Sequence, residues 1–219
     1  MNGAGLCLDN IVISRGKAVL VALSASVAPG EILTVTGPSG SGKSTLLAFL
    51  TGTLGPPFRA RGTIRLGGRD IGGLPPHRRR LGILFQDDVL FPHLSVGGNL
   101  AFGLRPEVRG RAARRAAVEA ALAEAGMAGF ADRDPASLSG GQRTRVALMR
   151  VLLSGPQALL LDEPFSSLDA ARRDRIRAFV FAHARERGLP TLLVTHDPAD
   201  ADAAAGQVVH LRGADDPAP

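Results

Sequence analysis

Short apolar runs, each closed by glycine, proline or a polar pair, set the rhythm of this chain. Residues 6–13 begin in alternation and predict a strand, and residues 19–27 predict a second. Pro29-Gly30 turns the chain into the apolar run Ile32–Thr36, which reads as a strand buried on both faces. Leu46, Leu47 and Leu50 then open a helix, which the stretch from Gly52 to Pro57 breaks. Residues 63–66 and the following Gly67-Gly68 predict a strand and tight turn, and residues 81–85 predict a short strand ending at Gln86.

From Asp87 the character changes. Residues 112–125 are alanine-rich and 142–153 are amphipathic, so the segment of about 87–153 reads as mostly helical. Strand and helix then alternate again: a strand over 158–161, a helix over 169–187, a strand over 191–195 and an edge strand over 208–211. Such alternation predicts an α/β fold, a mostly parallel sheet covered by helices on both faces. The helical lobe of 87–153 is then an insertion into a core of 1–86 and 154–213, with 214–219 a frayed tail.

Between the strand Ile32–Thr36 and its helix lies Gly37-Pro38-Ser39-Gly40-Ser41-Gly42-Lys43-Ser44-Thr45. It fits the phosphate-loop pattern Gly-x-x-x-x-Gly-Lys-Ser/Thr at every required position, in the strand–loop–helix setting that makes the pattern a site. Glycines let backbone N–H groups turn toward an anion, and the helix N-terminus adds partial positive charge. Lys43 would reach the terminal phosphates and the Ser44 hydroxyl would ligate Mg²⁺. The chain is therefore expected to bind a nucleoside triphosphate.

Composition narrows the setting. The 219 residues suit one domain with a small inserted lobe, and no apolar run reaches the length of a membrane-spanning helix. Cys7 is the sole cysteine, so no internal disulfide can form, and the residues after Met1 show no pattern of a secretion signal. The net charge is +6, carried almost entirely by arginine. Its clusters, Arg78-Arg79-Arg80 and residues 109–115, lack interleaved aromatics, and the chain has no Trp or Tyr to stack on bases. They read as solvated faces or as contacts for a membrane surface or acidic partner, and no nucleic-acid partner is expected.

The strand of residues 158–161 runs into Asp162-Glu163-Pro164, which places two carboxylates at the C-terminal edge of the sheet beside the phosphate loop. Asp162 suits the Mg²⁺ shell, and Glu163 is placed to polarise an attacking water.

Between the phosphate loop and the Asp162-Glu163 strand, Ser137-Leu138-Ser139-Gly140-Gly141-Gln142-Arg143 resembles the Leu-Ser-Gly-Gly-Gln signature of ABC (ATP-binding cassette) ATPases. Gln86 is similar to the family's Q-loop glutamine, Ser167-Leu168-Asp169 to its D-loop, and His196 to its switch histidine. The ordered set covers residues of about 6–211. The resemblance implies a P-loop NTPase core, RecA-like, with an N-terminal antiparallel β part and the helical lobe. It implies ATP and Mg²⁺ as cofactors, Gln86 beside Ser44 and Asp162 at the metal, and catalysis by Glu163, His196, Gln86 and Lys43. It also implies a head-to-tail homodimer, in which Ser139, Gly140, Gly141, Gln142 and Asp169 complete the ATP site of a second copy. The family commonly stacks adenine on an aromatic residue near positions 15–16. Arg15 stands there, and its flat guanidinium can lie on the base.

Among family functions, the short helical segment excludes the long coiled coils of DNA-repair and chromosome ATPases. A single cassette without fused membrane helices resembles the separate ATPase subunit of a bacterial importer, most similar to YnjD-type subunits with thiamine-importer ATPases as neighbours. No C-terminal regulatory barrel is expected. Partners would be membrane permease subunits and, through them, a substrate-binding protein, with the chain cytoplasmic and peripheral on the inner face of the membrane. Val89, Leu90 and Phe91 would be exposed as a groove for a permease helix. The rival reading is a soluble, non-transport ABC ATPase acting on nucleic acid or protein assemblies.

Overall fold

The computed structural model describes residues 5–211, so the expected tail lies outside the described residues. The chain opens with β1 (Leu6–Arg15), β2 (Ala18–Val27), β3 (Ile32–Thr36), α1 (Lys43–Thr51), β4 (Phe58–Leu66) and β5 (Arg69–Asp70). It continues with β6 (Leu81–Leu84), α2 (Val96–Gly103), α3 (Arg111–Glu124), α4 (Gly140–Leu153) and β7 (Ala158–Asp162). It closes with α5 (Ala170–Glu186), β8 (Thr191–Val194), α6 (Pro198–Ala204) and β9 (Val208–His210). These elements divide into two compact units. One runs to Leu81 and adds Gln157–Glu163 and the chain from Phe181; the other is Gly82–Pro156 with Pro164–Val180.

In the first unit an antiparallel sheet has the order β2-β1-β4-β5. Its inward side chains on β1 are Leu6, Leu8, Ile11 and Ile13, all buried. The step from Leu8 to Ile11 is odd, which would flip a regular strand to its other face. A register shift between those residues absorbs the extra position, with Asn10 at φ 50°. Gly62 lies against this bulge; a Cβ there would sit 2.6 Å from the Asn10 carbonyl oxygen.

The second sheet of this unit is parallel and runs β7-β8-β3-β9. β8 is buried throughout and β3 and β7 are buried up to their last residue, as continuous apolar runs require when both faces are covered. Because these strands point the same way, their C-terminal ends share one edge. The loops leaving β3, β7 and β8 therefore emerge side by side, and those are the loops carrying Gly37, Glu163 and His196. The α/β fold, parallel sheet and N-terminal antiparallel part stand as expected from sequence.

One basic cluster departs from its expected solvated face. Arg78 and Arg80 are exposed, but Arg79 is buried and donates to the carbonyls of Phe49, Leu50, Gly72 and Leu74. The last carbonyls of α1 have no partners within their helix, and a guanidinium fork supplies them.

In the second unit α2 and α3 pack on α4. Gly103 permits the close α2–α4 crossing, since a Cβ there would lie 2.1 Å from the Arg150 carbonyl oxygen. Val96, Leu100, Val118, Leu122, Val146 and Met149 form the buried faces of these helices.

Candidate nucleotide-binding site

The loop after β3 is shaped by its glycines. Gly40 and Gly42 adopt φ 80° and 92°, and a Cβ on Gly42 would meet Val21 at 2.7 Å. Gly42 leads into α1 with no side-chain cap, so the first N–H groups of that helix are left for an external acceptor. Lys43 is 8% exposed and its Nζ donates to the carbonyls of Gly37 and Pro38 at 2.7 and 2.8 Å. Ser41 is buried, and its hydroxyl has no hydrogen-bond partner in the protein. An ammonium folded onto loop carbonyls, an orphaned hydroxyl and open helix N–H groups fit a polyanion held by this loop.

The two neighbouring strands supply the rest. Glu163 follows β7 with φ 46°, a strained backbone for a non-glycine residue, and its N–H donates to the Val194 carbonyl at 2.9 Å. That strain turns the carboxylate back over the sheet edge. His196 follows β8, and its Nδ1 lies 3.0 Å from Glu163 Oε2. A cavity of about 550 Å³ is lined by Gly37, Pro38, Ser39, Gly40, Gly42, Lys43, Ser44, Thr45, Glu163 and His196. Asp162 does not line it. Burial, followed by the adjacent Glu163 charge, pushes the Asp162 carboxyl above its ordinary range, while Lys43 opposes the shift. A cation beside the acid pair would offset both causes.

Behind His196 stands an arrangement the sequence reading missed. Thr195 Oγ1 donates to Asp200 Oδ2 at 2.8 Å and accepts from the Asp197 N–H at 3.0 Å. Asp197 in turn caps α6 by accepting from Ala199 N–H. The spacing Thr195-x-Asp197-Pro198-x-Asp200 was the available signal, a capping residue with proline at the first helical position.

The remaining predicted residues do not line this cavity. Arg15 ends β1, exposed, paired with Ala18 on one side and Phe58 on the other, and does not line the cavity. In the second unit Ser139 caps α4 in a reciprocal box: the Ser139 N–H donates to Gln142 Oε1 at 2.9 Å, and the Gln142 N–H donates to Ser139 Oγ at 3.4 Å. Gly140 and Gly141 are tightly packed, with Leu168 and Ile176 at 3.3 and 3.1 Å from a notional Cβ. Asp169 accepts from the Arg172 N–H at 3.0 Å. Gln86 is exposed and lines a separate groove with Asp88, Leu90 and Arg143. Val89 is exposed as expected, but Leu90 and Phe91 are half-buried. The reason for Phe91 is Asn99, which donates to its carbonyl and accepts from its N–H.

A glycine loop between a buried parallel strand and a helix, with a carboxylate and a histidine turned onto it from the next two strand ends, is the site of a P-loop nucleoside triphosphatase. A family model described as ABC transporter matches residues 20–166. YnjD of Escherichia coli strain K12, named as an uncharacterized ABC transporter ATP-binding protein, is 46% identical over 90% of this chain and 91% of its own length. The thiamine import ATP-binding protein ThiQ of Cereibacter sphaeroides is 46% identical over 90% of this chain and 83% of its own length. The Fe(3+) ions import ATP-binding protein FbpC of Streptomyces avermitilis is also 46% identical, but the match covers 56% of that relative. The chain belongs to the ABC transporter family, as one of its ATP-binding ATPases.

Proposed function

We propose that this chain is the ATP-binding and ATP-hydrolysing subunit that powers a bacterial importer. The observation that carries the reading is a cavity lined by the phosphate loop, Glu163 and His196, with Glu163 and His196 3.0 Å apart. Relatives named for thiamine and for ferric iron support the import direction. Since they are equally identical to this chain, they do not choose its cargo.

In this proposal Gly37, Pro38, Ser39, Gly40, Ser41, Gly42, Lys43, Ser44 and Thr45 hold the ATP phosphates, and Arg15 lies on the base. Ser44, Asp162 and Gln86 would hold Mg²⁺, which neutralises phosphate charge when bound. The Glu163 carboxylate takes a proton from the attacking water as the water oxygen bonds to the γ-phosphorus and the bond to the ADP oxygen breaks. Lys43 and His196 stabilise the charge on the phosphoryl oxygens. With Nδ1–H donating to Glu163, the other ring nitrogen of His196 can donate to phosphate only from the imidazolium.

Ser139, Gly140, Gly141, Gln142 and Asp169 would complete the site of a second copy, so ATP closes a head-to-tail dimer and hydrolysis reopens it. A core of 1–86 and 154–213 and a lobe of 87–153 are the working parts of that cycle. The dimer would dock on membrane permease subunits through Gln86 and the residues after it, at the inner face of the cell membrane, with a substrate-binding protein supplying cargo. Affinity purification of the tagged protein from membranes of its native cells tests this. Co-purifying integral permease subunits support it; recovery of DNA or ribosomes in their place contradicts it.

A further inference from the structure

Asp88 lies two residues beyond Gln86, and its side chain is only 15% exposed. Buried carboxylates persist when paired and hydrogen-bonded. The partner of Asp88 comes from the first turn of α4: Arg143, whose Nε is 3.6 Å away. Arg143 also donates from Nη1 to the carbonyl of Leu138 at 2.9 Å, and Leu138 immediately precedes the cap Ser139. One guanidinium therefore touches both the segment after Gln86 and the residue that leads into the signature.

The next residues are tied to the same helix further along. Val89 has φ 42°, a costly conformation for a β-branched residue, and its carbonyl accepts from Arg150 Nη1 at 3.0 Å. Arg150 also donates to Asn99, the fully buried residue that binds both the N–H and the carbonyl of Phe91. The loop from Asp88 to Phe91 is thus sewn to α4 over about two helical turns. A groove of about 410 Å³ opens beside it, with Gln86, Asp87 and Leu90 facing Arg143 and Pro135.

We propose that Asp88 is a positioning residue that couples this groove to the signature. Through Arg143 and Leu138 it fixes the orientation of Ser139 and Gly140 relative to the permease segment proposed above to dock beside Gln86. The inference rests on the proposed ATP-closed dimer. Without the pair, the loop can shift while α4 stays behind. An ordinary surface ion pair would also bring two charges together. It would not bury the acid, nor would its loss act on the signature while leaving the phosphate loop untouched.

The test uses the Glu163→Gln background and measures, by light scattering, the ATP concentration that gives half-maximal dimer. ADP affinity and thermal unfolding are followed in parallel. Asp88→Ala and Arg143→Ala should each raise the ATP midpoint about three- to tenfold with ADP affinity unchanged, the size expected from loss of a partly buried ion pair. The double variant should be no worse than either single one, and Asp88→Glu should recover most of the loss. Asp88→Asn keeps the shape and removes the charge, so it separates loss of charge from loss of fold. Additive single effects, an unmoved midpoint in Asp88→Asn and Asp88→Ala, or equal losses in ADP affinity and closure overturn the coupling. If Glu163→Gln alone forms no ATP-dependent dimer, the underlying dimer reading fails first, and that result is read before any Asp88 substitution is made.

Discussion

Thr195 Oγ1 donates to Asp200 at 2.8 Å, and both side chains are buried, one residue before His196 and four after it. The bond clamps the turn that leaves β8, so it fixes where His196 stands relative to Glu163. Asp200→Ala leaves a buried hydroxyl short of its acceptor and frees that turn. We expect kcat to fall about tenfold or more, the scale for misplacing a reacting group, with ATP affinity nearly unchanged. Steady-state kinetics decide; a raised KM with unaltered kcat contradicts the positioning role.

Arg79 satisfies carbonyls of Phe49, Leu50, Gly72 and Leu74 from a buried position. Arg79→Ala should lower stability by about 2–4 kcal/mol in urea unfolding, because several buried acceptors lose their donor together. Arg79→Lys should recover little, since an ammonium cannot reproduce the planar fork. Stability within about 0.5 kcal/mol of the parent would show the cluster to be a solvated face after all.

The Asp162 carboxyl titrates above its ordinary value of 3.8, first through burial and then through Glu163. The folded chain therefore keeps this proton to higher pH than the unfolded chain does. Its contribution to stability is full below about pH 3.8 and is lost as pH rises through the folded value. Asp162→Asn removes that loss. Urea midpoints of the nucleotide-free variant should match the parent at the acid end and exceed it toward neutrality, while ATPase activity falls. Parallel curves across the range contradict this assignment.

In the proposed site Arg15 takes the place of the aromatic ring on which the family commonly stacks adenine. A guanidinium stacks on any purine without reading its edge. ATP and GTP should therefore bind within about tenfold of each other, or roughly 1.4 kcal/mol. A competition titration with a fluorescent nucleotide measures it, and a larger preference for ATP shows that another group reads the base.

Much of this was legible in the chain because its signals are local. The phosphate loop is nine consecutive residues, Gly37 to Thr45, and the acids and the histidine directly follow apolar strands. Parallel strands then put those loops on one edge with no further information needed. Interactions that join distant segments were not legible. The burial of Arg79 depends on α1 ending beside it, so three consecutive arginines looked like surface. Leu90 and Phe91 looked exposed by hydropathy, yet Phe91 is drawn inward by Asn99, eight residues on. The helix α6 is only Pro198–Ala204, too short for a hydrophobic period to declare itself. The bulge at Asn10 was hidden for a related reason: the odd step from Leu8 to Ile11 breaks the alternation that marks a strand.

The central claim is that Glu163, held at a strained φ of 46° against His196, activates the water that attacks ATP. Glu163→Gln keeps the shape and removes the base. Measured as phosphate release at saturating ATP, its turnover should fall by about a hundredfold or more while ATP affinity is preserved. Phosphate release close to that of the parent protein, with ATP bound equally well, would contradict the account.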